Sequence, residues 1–222
     1  MGSESVTTNN IELLSGVIKY LNGKLVVISS GAMMMDKKIN HSMYLNSISK
    51  QAGCARGQIL LMNFYNEILK KHGLKIGQVL LTSDDLLIDK RLRNIKNTLD
   101  ELISESTIPI INENDTVSID ELTFSDNDLI AGHIANKLGY TLIIVTTVGG
   151  IIDYTTNQLI NEINFRDAYK YLINSKTKNG TGGMTSKLKA CEIAKKDVIL
   201  TSFDNLLCTV KGDYTKCTRV KY

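Results

Sequence analysis

Short apolar runs free of charge recur along this chain, and between them apolar residues repeat at helical spacing. The runs are Leu25-Val26-Val27-Ile28-Ser29, Ile76 to Thr82, Ile108-Pro109-Ile110-Ile111, Leu142-Ile143-Ile144-Val145 and Val198-Ile199-Leu200. Runs of this length, bounded by turn residues, read as buried strands. Helical repeats fill the gaps. Ile11, Leu14, Val17, Ile18 and Leu21 precede Asn22-Gly23, and Ile48, Ala52, Ala55, Ile59, Met62 and Leu69 share one face of a long helix ending near His72-Gly73. A helix through Ile95, Leu99 and Leu102 follows the start signal Ser83-Asp84-Asp85. Two more carry Leu129 to Leu138 and Met184 to Ala194. This alternation predicts an α/β fold, a three-layer α/β/α sandwich whose mainly parallel central sheet is covered on both faces.

At 222 residues, with no internal repeat and no low-complexity linker, the chain is read as one domain, 1–222 (roughly 100–200 residues make a domain). Residues 151–179 are read as a connecting helix and polar loop. A chain of this size buries enough surface to need no disulfide or metal staple. The net charge of +3 matches the excess carried by Lys211, Lys216, Arg219 and Lys221 over Asp213 near the end. The rest balances, so no basic groove is available to nucleic acid, and 211–222 is read as a solvated basic tail. No apolar stretch reaches the ~18 residues of a membrane-spanning helix. Cys54, Cys191, Cys208 and Cys217 show no CxxC spacing and the histidines lie far apart, which argues against structural zinc and for a reducing, cytoplasmic setting.

Polar and glycine-rich clusters fall where strands end, the place where open parallel sheets bind ligands. Asn112-Glu113-Asn114-Asp115-Thr116 could grip an amine and a carboxylate together, or form a capped turn. Ser125-Asp126-Asn127-Asp128 is a helix N-cap that could also present a carboxylate. Gly180-Thr181-Gly182-Gly183-Met184-Thr185-Ser186-Lys187 offers free backbone N–H groups at a helix start, with Lys187 supplying a cation, as a phosphate site requires. A surface loop before a helix reads the same way. The string is not a Walker A loop, because Ser186 stands where the glycine before the lysine belongs, and no GxGxxG occurs.

Taken together, Val27 to Ala32, Lys50-Gln51-Ala52 through Gly57-Gln58, Gly77 to Thr82, Asn94 to Thr98, Pro109 to Thr116, Asp126-Asn127-Asp128 and Gly180 to Lys187 resemble the amino acid kinase family, specifically its glutamate 5-kinase branch. The resemblance runs from about Gly2 to Val220. It implies transfer of phosphate from ATP, with Mg2+, to the side-chain carboxylate of L-glutamate, the step that opens proline biosynthesis. It further implies that Ser30, Asp115 and Asn127 hold the glutamate, with Gly31 bringing backbone N–H close. Thr146, Thr147 and the segment Thr181, Gly182, Gly183, Met184, Thr185, Ser186 and Lys187 would line the nucleotide. Lys187 would stabilise charge on the moving phosphoryl group, and Asp128 would orient the catalytic lysine side chains. No protein metal ligand is assigned. Relatives form dimers or tetramers and respond to proline as feedback inhibitor, so the same is expected here, with no membrane or nucleic-acid partner.

The sequence departs from the family pattern in three places. The family's opening strand, with its catalytic lysine, is read as missing ahead of Met1. Thr146-Thr147-Val148-Gly149-Gly150 stands where the family has Thr-Asp-x-Asp-Gly. A C-terminal RNA-modification-like (PUA) domain is read as absent. Two other readings stay open: a degenerate relative that binds glutamate or a partner subunit only, and a family member acting on a different acceptor.

Overall fold

The computed structural model describes residues 7–118, 126–173 and 181–222. The chain divides into two compact units, Met1–Thr123 and Phe124–Tyr222. Both are α/β; strand pairing is all parallel in the first unit and half parallel, half antiparallel in the second.

In the first unit, α1 (Thr8–Tyr20) starts where the Thr7 hydroxyl accepts from Asn10 N and stops at Asn22-Gly23, both with positive φ. The Gly23 amide then closes the last turn onto the Ile18 carbonyl at 2.9 Å. There follow β1 (Val27–Ile28), α2 (Ala32–Asn40), α3 (Ser47–Lys71), β2 (Lys75–Leu81), α4 (Asp89–Ser104) and β3 (Thr107–Glu113). The three strands pair in the order β1-β3-β2, all parallel, with Ile108, Ile110 and Ile111 of the middle strand in the core. β1 is shorter than the expected 25–29 run; the ladder continues only as far as Ser29 N donating to the Ile111 carbonyl. Ser83-Asp84-Asp85 does not start α4. The Asp85 carboxylate accepts from Thr82 N and Oγ1 instead, making a single 3-10 turn.

α3 is rotated relative to the sequence expectation. Met62 and Leu69 are buried as expected, whereas Ile48, Ala52, Ala55 and Ile59 face outward, Ile48 being 73% and Ile59 66% exposed. The inward face of that half of the helix carries Gly53, Cys54, Gly57 and Gln58. The two glycines explain the choice. A Cβ on Gly57 would lie 1.8 Å from the Ala32 carbonyl oxygen, and one on Gly53 would run into the Tyr44 ring. Only this face lets α2 and its following loop approach so closely.

The second unit contains α5 (Asp126–Leu138), β4 (Leu142–Val145), β5 (Ile151–Asp153), β6 (Gln158–Ile160), β7 (Glu162–Asn164), α6 (Phe165–Ala168), α7 (Lys170–Ile173), α8 (Thr181–Ala194), β8 (Val198–Thr201), α9 (Phe203–Val210) and β9 (Thr218–Lys221). Its sheet runs β4-β8-β9-β7, with β8 and β9 antiparallel and the outer pairs parallel; β5 and β6 form a separate hairpin. α5 and α8 pack tightly at Gly132, where a Cβ would come within 2.7 Å of the Ala190 carbonyl oxygen.

Two expectations for this unit are corrected. The stretch after Ile151, expected as helix and loop, begins with a hairpin, a strand and two single-turn helices. The basic end is not a solvated tail over 218–221, because β9 lies between β8 and β7 with Thr218 and Val220 buried. Its inward residues alternate with Arg219 and Lys221, a period-2 pattern that charge counting hid. The outward cations pair with Glu162 (3.3 Å) and Asp197 (2.7 Å).

Candidate active site

In the first unit the chain leaves β1 through Ser29-Ser30-Gly31. Gly31 has φ +115° and occupies the N-cap position of α2, with no side-chain cap on the helix. A residue with a Cβ rarely adopts that conformation. Ser29 is fully buried, its Oγ 2.9 Å from the Tyr65 hydroxyl of α3, and Ser30 is half-buried beside it. One turn into α2, buried Asp36 accepts both arms of Arg56 (3.0 and 2.9 Å), Asn40 Nδ2 (2.7 Å) and the Tyr44 hydroxyl (2.7 Å). Arg56 outweighs the effect of burial and holds the Asp36 carboxyl well below the usual carboxylate range.

β3 delivers the Asn112–Asp115 cluster, and α3 runs alongside it. Gln51 Nε2 donates to the Ser118 carbonyl (3.4 Å), Cys54 lies against Asp115, and Gln58 Oε1 accepts from Asn112 Nδ2 (2.6 Å). These α3 positions lie three and four residues apart, one face of a helix running along the end of β3 and the turn after it. Burial, then the charge and hydrogen bond of Asp115, push the Cys54 thiol up to about 12. Asn112 and Glu113 are buried, while Asp115 is half-buried. Sequence reasoning missed this lining because it assigned α3 the wrong inner face; the seven-residue spacing of Gln51 and Gln58 was the available signal.

In the second unit Asp128 of α5 and Ser186 and Lys187 of α8 come together. Lys187 Nζ lies 3.1 Å from Asp128 Oδ2, and Ser186 Oγ donates to the same oxygen at 2.6 Å. The Lys187 and Asp128 side chains are only 11% and 7% exposed. Lys187 sits in the second turn of α8, which starts at Thr181 and so takes Gly182 and Gly183 into its first turn. Gly183 is exposed with open space where a Cβ would be, Met184 and Thr185 are half-buried, and Asn127 is buried on α5. At the end of β4, Thr146 N donates to the Thr201 carbonyl (2.7 Å), while its buried Oγ1 has no hydrogen-bond partner among the described residues. Thr147 is exposed. Ser125, Asn179 and Gly180 lie outside the described residues, as do the side chains of Asp126 and Thr181.

Comparison with known proteins gives a consistent answer. The amino acid kinase family model matches residues 1–201. A glutamate 5-kinase of Aquifex aeolicus (strain VF5) is 34% identical over 220 residues, covering 95% of this chain and 62% of the relative. A glutamate 5-kinase of Alkaliphilus oremlandii (strain OhILAs) is 35% identical over 199 residues, covering 84% and 76%. The chain spans about half to three quarters of the length of the curated relatives it matches. Among solved structures, the UMP kinase of Ureaplasma parvum shares the fold at a TM-score of 0.60 and 14% identity, covering 99% of this chain and 96% of that one. Sequence strings, strand pairing and family match agree: the chain belongs to the amino acid kinase family.

Proposed function

We propose that this chain phosphorylates the side-chain carboxylate of L-glutamate with ATP; the relatives it resembles carry the name glutamate 5-kinase. The observation that carries the reading is the buried Asp128–Ser186–Lys187 cluster on α5 and α8, which holds an ammonium group rigidly near a glycine-bearing helix start. Phosphoryl transfer asks mainly for alignment and charge neutralisation. The acceptor carboxylate is ionised at neutral pH, so no general base is needed.

In this reading Ser30, Gly31, Asp115 and Asn127 bind glutamate, and Thr146, Thr147 and Thr181 to Lys187 bind the nucleotide. The orphaned Thr146 hydroxyl supports a polar ligand at the end of β4. Among the described residues no three or more His, Cys, Asp or Glu side chains group as a metal cage, which suits Mg2+ held chiefly by phosphate and water oxygens; it would neutralise phosphate charge when bound. Asp128 fixes the Lys187 ammonium so that it is in place before charge develops.

Homo-oligomeric assembly, proline inhibition and a cytoplasmic location belong to the same proposal. Among the described residues no helix is long and apolar enough to cross a membrane. The outward stripe of α3 supports a second copy of this chain as partner. In an antiparallel two-fold pairing Ile48 would meet the partner's Ile59 and Ala52 the partner's Ala55, so the stripe is self-complementary.

The test is ADP release in the presence of ATP, Mg2+ and glutamate. Release should depend on glutamate, and Lys187→Ala should lower turnover by about 100- to 1,000-fold, the scale of one lost preorganised donor, with little change in glutamate affinity. Glutamate-independent release, or equal loss of turnover and affinity, would overturn the reading.

A further inference from the structure

Gln58 is 9% exposed, and its Nε2 has no hydrogen-bond partner among the described residues. A relay from the backbone decides which end of the amide is the nitrogen. Glu113 N donates to Asn112 Oδ1 at 2.9 Å, so Asn112 Nδ2 is the atom that reaches Gln58, and it donates to Oε1 at 2.6 Å. Turning the Gln58 amide over would set two NH2 groups against each other. The unmatched donor is therefore a consequence of the fold. A buried donor without an acceptor is destabilising, and native proteins keep such groups where a ligand or an ordered water completes them.

The position is informative. Through its own hydrogen bond Gln58 reaches Asn112, the first residue of the 112–115 cluster. Its neighbour Gly57 touches the Ala32 carbonyl, one residue past Gly31. Both segments read as glutamate-binding thus converge on this turn of α3. Glu113 and Asp115 belong to the same cluster, and a cation at position 58 could be captured by them as an ion pair. A neutral amide keeps its N–H for an incoming acceptor.

The geometry points to Gln58 as a substrate-binding residue: its Nε2 donates to a carboxylate oxygen of the bound amino acid, and Asn112 is the positioning residue that aims it. This rests on the glutamate reading above. The experiment uses the full chain, with Gln58→Glu, which keeps an acceptor for Asn112 but replaces the donor, and Gln58→Met, which removes both. Kinetics with glutamate and ATP are read beside thermal midpoints. The expected result is a rise in glutamate KM of about tenfold or more in both variants, larger for Gln58→Glu, with ATP KM unchanged. A lowered thermal midpoint with unmoved glutamate KM would mean that water completes the donor, and would overturn the assignment. A crystal structure of the unmodified chain with glutamate decides the point even if neither variant folds. Nε2 within hydrogen-bond distance of a glutamate oxygen supports the assignment, and Nε2 on water alone overturns it. If the unmodified chain binds no glutamate at all, the functional reading fails and this assignment falls with it.

Discussion

Gly57→Ala adds one methyl group at the point where α3 meets the start of α2. The new Cβ would sit 1.8 Å from the Ala32 carbonyl oxygen and 2.6 Å from its carbon. An ordinary non-bonded contact is about 3.5 Å, so the two backbones must separate by roughly 1.5 Å. Neither atom belongs to a flexible side chain that could turn aside. Overpacking of this kind costs about 1–3 kcal/mol, or a fall of about 2–4 °C in thermal midpoint per kcal/mol at this chain length. The functional effect is larger, because Ala32 follows Gly31 and a displacement of about 1 Å at a binding segment can cost a hundredfold. Gly16→Ala is the control: it lies inside α1 with nothing within 4 Å of an added Cβ, and should stabilise by up to about 1 kcal/mol. Differential scanning fluorimetry and glutamate titration of both variants test this. A Gly57→Ala chain with unchanged midpoint and unchanged glutamate affinity would refute the close approach of α2 and α3.

Acid should weaken the Asp36 knot in a defined window. Its carboxyl is held below the ordinary value, so the unfolded chain takes up a proton near pH 4 while the folded chain does not. The stability advantage of the native chain over Asp36→Asn is then full above about pH 5 and shrinks as pH falls; a gap constant from pH 7 to 3 would contradict it. Iodoacetamide at pH 8 should label exposed Cys208 in the native state, while Cys54 and Cys191, both buried and raised to about 12, react only after unfolding; native labelling of either would contradict their burial. Ile48→Glu with Ile59→Glu should shift the chain to monomer in light scattering, without lowering the midpoint of the monomer. An unchanged mass would remove the α3 stripe as an interface.

β1, β2, β3, β4 and β8 were legible because uninterrupted apolar runs have few other uses, and α1 because Asn22-Gly23 marks its end; β5, β6 and β7, three residues each, are too short to leave such a run. The inner face of α3 was not, since Ile48, Ala52, Ala55 and Ile59 mimic a core stripe while the true contact uses glycines whose value lies in what they lack. β9 was hidden by its charges. Asp128 and Lys187 could be named from family strings, but their contact spans 59 residues of sequence, and no local rule joins them. Asp36 with Arg56 and Gln58 with Asn112 are likewise long-range pairs, decided by packing once α3 lies across the strand exits.

Acyl phosphates react with hydroxylamine, so the most direct test is to trap the product of the unmodified chain incubated with ATP, Mg2+ and L-glutamate. The expected result is γ-glutamyl hydroxamate formed in step with ADP, and none when UMP replaces glutamate. ADP formed without hydroxamate, or phosphorylation of UMP in preference to glutamate, would contradict the account.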